Sequence, residues 1–98
     1  MILVRDIFNL KFGKAKDARN LLKEASEIGK KFGFEPRRAL TDLTGPSYTL
    51  VMESEWKSLA DWENGMKASM GADEWQKWYQ KFIPLVDSSS REIFTIVQ

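Results

Sequence analysis

Outside the solvated helix faces, the side chains able to polarise an oxygen or move a proton are Arg5, Asn9, Tyr48, Glu53 and Arg91. Arg5 and Asn9 stand four residues apart in an alternating apolar and polar run, so in a strand they share a face, and either could polarise or pair with a substrate oxygen. Glu53 or Tyr48 could then handle a proton. Trp56, Trp62, Arg5 and Arg91 are the candidates for binding, indole rings to wall a pocket and guanidinium groups to meet an oxygen. Four tryptophans fall between positions 56 and 78. Those at 62, 75 and 78 share a helical stripe with Met66, Tyr79 and Phe82, the pattern of a core or a dimer seam, whereas Trp56 precedes the helix and is freer to face a pocket.

What is missing narrows the chemistry further. The 98 residues contain no histidine and no cysteine, which removes the commonest general base, thiolate nucleophiles, the usual transition-metal ligands and any disulfide. The glycines are scattered and form no phosphate-binding loop. Glu53, Glu55, Asp61 and Glu63 cluster in sequence but lack the spacing of an oxygen-ligand cation loop. No metal and no cofactor are expected.

The elements that must position these residues follow the order β-α-β-β-α-β. Ile2 to Lys11 alternates, with Ile2, Val4, Asp6, Phe8 and Leu10 on one face and Leu3, Arg5, Ile7, Asn9 and Lys11 on the other. The first set should meet the helices, and Asp6 fits there only with a buried partner. Lys14 to Phe32 carries apolar residues at helical spacing, with Gly33 as a C-terminal cap. A second strand is expected from near Phe34; Pro36 suits an edge, and Arg37 and Arg38 point to opposite faces. Thr44-Gly45-Pro46-Ser47 supplies a hairpin turn between Leu40 and Ser54. Tyr48, Leu50 and Met52 then alternate with Thr49, Val51 and Glu53, as in a central strand covered on both sides. Ser58 with Asp61 reads as a helix start, and Gly71 interrupts the helical stretch to Val86. Asp73 with Gln76 reads as a second cap, and Pro84 limits the helix. Asp87-Ser88-Ser89-Ser90 reads as a polar loop before a closing strand, Glu92 to Val97.

This is one α+β domain over residues 1–98, a ferredoxin-like antiparallel sheet with its helices on one face. The apolar residues of the other face call for a second layer, best supplied by a second copy of the chain. A site is expected beside that second face. A formal net charge of +1 gives no field for a polyanion. RNA-recognition domains share the element order, but only Tyr48 could stack on a base, so no nucleic acid is expected. No apolar run approaches a membrane span and no basic leader is present, so the expectation is a cytoplasmic protein without a membrane partner.

Three segments carry a resemblance. The turn Leu10-Lys11-Phe12-Gly13-Lys14, the run Glu53-Ser54-Glu55-Trp56-Lys57-Ser58-Leu59-Ala60-Asp61-Trp62 and the terminal Arg91-Glu92-Ile93 resemble the dimeric α+β barrel superfamily, particularly its NIPSNAP-like and antibiotic-biosynthesis-monooxygenase-like members. Those often have a Lys-Pro-Gly-Lys turn after strand one and a Ser-Leu-Ala helix start after strand three; Phe12 replaces the proline here. The resemblance implies two subunits packed sheet against sheet, helices outside, and a small cavity between each sheet and its helices or within the barrel. It implies cofactor-independent oxygenase-like or isomerase-like chemistry on an aromatic or polyketide-like molecule. Family oxygenases position an ionisable phenol with Asn, Trp, Tyr and Arg, and Asn9, Tyr48, Trp62 and Arg91 are the nearest residue types. Haem-degrading relatives need a histidine that this chain lacks. A homodimer binding a small apolar or aromatic ligand is the leading expectation, and a non-enzymatic dimerisation or scaffold module without ligand is the alternative.

Overall fold

The computed structural model describes residues 1–33 and 36–98, without the side chains of residues 36 and 37. The expected strand start at Phe34 and the direction of the Arg37 side chain lie outside the described residues. Four strands, β1 (Ile2–Leu10), β2 (Pro36–Thr41), β3 (Thr49–Trp56) and β4 (Val86–Thr95), and three helices, α1 (Ala15–Lys31), α2 (Leu59–Met70) and α3 (Asp73–Phe82), form the body. The sheet order is β2-β3-β1-β4 and each neighbouring pair is antiparallel. This is the ferredoxin-like arrangement, with β2 and β4 at the edges.

Alternation decides which face the helices cover. Phe8, Leu10 and Leu50 pack with Ala18, Ala25, Ile28, Trp78 and Phe82. Trp78 and Phe82 are 1% exposed and Leu50 and Val4 are 0% exposed, each burial contributing roughly 1.5–3 kcal/mol. The rings stack in a chain, Trp75 to Trp78 at 5.0 Å and Trp78 to Phe82 at 4.8 Å, and Phe8 meets Phe82 edge-on at 4.9 Å. The Trp78 indole N–H donates to the Leu21 carbonyl at 2.8 Å, which satisfies its buried donor and ties α3 to α1. None of the described core cluster comes from the other sheet face.

Local chemistry sets the ends of the helices. Gly33, at φ +75°, turns the chain out of α1 as its N–H donates to the Lys30 carbonyl. The Ser58 hydroxyl accepts from the Asp61 N–H at 3.2 Å and opens α2. At α3 the structure corrects the sequence reading. Ala72 is the N-cap, with no side-chain cap, and Asp73 is the first helical residue. Gln76 donates instead to the Met70 carbonyl at 3.2 Å, joining the end of α2 to α3.

The serine run is the second correction. Asp87 to Ser90 is not a loop but the first half of β4, paired with β1 so that Ser90 faces Ile7 and Ser89 faces Phe8. Serine is a turn signal in isolation. Here the backbone of β1 needs partners along its whole length, and exposed side chains on an edge strand tolerate polar types.

Candidate functional site

A cavity of about 920 Å³ lies between the sheet and the helices, near the top of the range of about 300–1,000 Å³ typical of small-molecule pockets. Its floor contains one register row that crosses all four strands. Ala39 on β2 faces Met52 on β3, Met52 faces Asp6 on β1, and Asp6 faces Arg91 on β4. With strands spaced by about 4.8 Å, the row spans about 14 Å. Roof residues come from all three helices: Leu22 and Ser26 of α1, Met66 and Met70 of α2, Trp75 and Tyr79 of α3. Three of the four methionines line this one space, giving it soft, adaptable walls suited to a ring.

The row is apolar at the β2 end and charged at the β4 end. Arg91 Nε donates to Asp6 Oδ1 at 2.6 Å, with the Asp6 side chain only 13% exposed. Asp6 thus has the partner that a carboxylate on the helix-covered face requires, but Arg91 is not the buried one expected from the sequence, being itself 42% exposed. The Arg91 guanidinium also lies over the Trp62 ring, 5.0 Å from its centroid, a cation–π contact that holds the guanidinium plane. Ser89, which shares the helix-covered face by register, and the neighbouring Ser90 border the same end.

Of the residues singled out from sequence, Arg91 lines this cavity and Trp62 supports it from behind. Arg5 and Asn9 lie on the uncovered sheet face, where Asn9 donates to the Ser88 hydroxyl at 3.0 Å. Glu53 is on that face too, 4% exposed. It accepts a hydrogen bond from Arg38 Nε and lies 3.2 Å from Arg5 Nε, an ion pair without hydrogen-bond alignment. Arg5 reaches Glu92 as well, at 3.5 Å. One extra residue in β2 between Pro36 and Arg38 brings Arg38 opposite Glu53. Tyr48, at φ 62°, precedes β3 and tilts against Phe12 with ring centroids 4.9 Å apart. Trp56 is buried under α2, its indole N–H bonded to the Ser54 hydroxyl at 3.0 Å. Asn9, Tyr48, Glu53, Arg5 and Trp56 are not among the cavity-lining residues.

Asp6 and the three methionines are what the sequence reading did not assign to a site. Asp6 carried a signal, the only charge on an otherwise apolar face. Met66, Trp75 and Tyr79 carried none, because a helical stripe looks the same whether it meets solid core or the wall of a space. Among the described residues no three acidic side chains converge in a way that could hold a metal ion, and no helix is long and apolar enough to cross a membrane.

No protein-family model matches the sequence. No curated protein sequence matches it either. Solved structures do match in fold. A NIPSNAP domain protein from Burkholderia xenovorans superposes with a TM-score of 0.92 at 12% identity, over 99% of this chain and 95% of that one. A NIPSNAP family protein of unknown function from Agrobacterium tumefaciens gives 0.90 at 21% identity, over 96% and 86%. An antibiotic biosynthesis monooxygenase-like protein from Nitrosomonas europaea gives 0.76 at 12% identity, over the full length of both chains. The chain has the fold shared by NIPSNAP domain proteins and antibiotic biosynthesis monooxygenase-like proteins, the same group that its turn and helix-start motifs resemble.

Proposed function

We propose that this chain is the protomer of a homodimer and binds one small, largely apolar, aromatic molecule in the cavity between its sheet and its helices. The observation that carries this reading is the cavity itself: about 920 Å³ lined by methionine and aromatic side chains with polar residues between them, and with the Asp6–Arg91 pair on its floor. Space of that size is retained against the tendency of a core to pack densely. The likeness to the matching structures, at 21% identity or less, supports the fold alone and leaves the substrate to the residues of this chain.

The dimer reading rests on the opposite face. Leu3, Ile7, Leu40, Val51 and Phe94 share it by register, and Phe94 is 48% exposed. A second copy packed sheet to sheet covers these residues and places Arg5, Asn9 and Glu53 in the seam between subunits.

Asp6 beside Arg91 supplies a carboxylate to take a proton and a cation to stabilise an oxyanion next to it. An isomerase-like proton shift beside a carbonyl needs those two groups and no cofactor, and oxygenase-like chemistry on an aromatic substrate starts from the same deprotonation. A thermal-shift screen of aromatic and polyketide-like compounds against the purified protein tests the reading. Saturable stabilisation by planar aromatic compounds is expected; silence across the set would favour a scaffold without ligand.

A further inference from the structure

The charged end of the cavity is already neutral, and that limits what can bind there. Arg91 gives its Nε hydrogen to Asp6 Oδ1, and Trp62 backs the guanidinium. The two terminal nitrogens of Arg91 and the second oxygen of Asp6 make no other described contact apart from that ring. A donor edge and an acceptor without a described hydrogen bond therefore belong to two register partners that both line this end of the row. The other cations of the wall do not alter the balance there. Arg38, at the far β2 edge, is engaged by Glu53, and Lys23 is exposed on α1, where solvent screens it.

We infer that the ligand of this cavity carries an uncharged head that both donates and accepts a hydrogen bond, of the carboxamide or hydroxy-ketone class, rather than a carboxylate or phenolate. Such a head accepts from the Arg91 terminal N–H groups and donates to Asp6 Oδ2, completing both without adding charge. A carboxylate finds the same guanidinium, but it must approach a carboxylate that is 13% exposed and already paired. Two anions then share one cation, with Arg38 held by Glu53 and Lys23 screened by solvent, and the second stays uncompensated. The ring body extends along the row over Met52 towards Ala39, within the span of about 14 Å. This inference rests on the cavity being a ligand site.

Three probes with one ring system separate the two ideas: 2-naphthamide, 2-naphthoate and 2-methylnaphthalene, titrated calorimetrically into the wild-type protein at neutral pH. The amide is expected to bind at least tenfold more tightly than the carboxylate. Asp6→Asn removes the resident negative charge and leaves Arg91 uncompensated, so the carboxylate should gain at least tenfold and overtake the amide. If Asp6→Asn does not fold, the wild-type ranking decides alone. Equal or tighter binding of naphthoate by the wild type overturns the inference while the cavity reading stands. The same holds if only 2-methylnaphthalene binds. Binding of none of the three overturns both.

Discussion

Asp6 and Arg91 sit 85 positions apart in sequence, yet they are direct register partners across β1 and β4 and share a hydrogen bond of 2.6 Å. The pair is where the fold meets its candidate chemistry, because it resolves a charge on a covered face and leaves free polar atoms at the edge of a cavity. Arg91→Ala should strand the Asp6 carboxylate among apolar neighbours. Arg91 is itself 42% exposed, so the cost is discounted for solvent, to about 1–2 kcal/mol. Urea unfolding of the variant measures it, and an unchanged midpoint would show that the pair does not matter to stability.

Gly65 and Trp56 make a second tight relationship. A Cβ at Gly65 would lie under 3.0 Å from two atoms of the Trp56 ring. Gly65→Ala gains helix propensity worth about 1 kcal/mol, but the overpacking costs roughly 1–3 kcal/mol. A net loss of stability is expected, and Trp56→Phe in the same chain should reduce the penalty of the alanine. Additive effects in that double-mutant cycle would separate the two residues.

Glu53 is the hub of the uncovered face, buried between Arg5 and Arg38. Glu53→Ala should destabilise by about 1–3 kcal/mol, less than a fully buried pair would lose, because Arg38 is 63% exposed and Arg5 is 32% exposed. Glu53→Gln, which keeps the shape and one acceptor, should lose less. Chemical denaturation of the two variants beside the wild type reads this order, and equal losses would assign the effect to the carboxylate charge alone, since glutamine keeps the packing.

The dimer has its own test on the same face. Sedimentation of the wild type at micromolar concentration should show a dimer. Phe94→Glu should shift it to monomer with the far-ultraviolet dichroism unchanged. A wild-type monomer would remove the second subunit from the account.

Alternation made most of the fold legible. The two faces of β1 and β3, the edge placement of β2, the Ser58 start of α2 and the break at Gly71 all follow from spacing and cap chemistry. Asp6 stood out as the misfit of its face, but its partner did not. Pairing with Arg91 depends on the β1–β4 register, which one sequence does not encode locally. That register also turns Asp87 to Ser90 from an apparent loop into strand, and with it the row across the floor takes shape. The methionines were invisible for another reason. Periodicity shows which side of a helix faces inward; it does not show whether the space inside is full.

The most direct test of the central claim follows the methionine methyl groups by NMR as 2-methylnaphthalene is added. Met52, Met66 and Met70 line the cavity, Met70 at its open edge, while Met1 at the chain end is not among the lining residues and serves as a control. Saturable shifts are expected at the three cavity methyls, with Met1 unmoved. Unmoved cavity methyls at ligand saturation, or shifts confined to Leu3, Ile7 and Phe94 on the opposite face in a parallel backbone experiment, would contradict that claim.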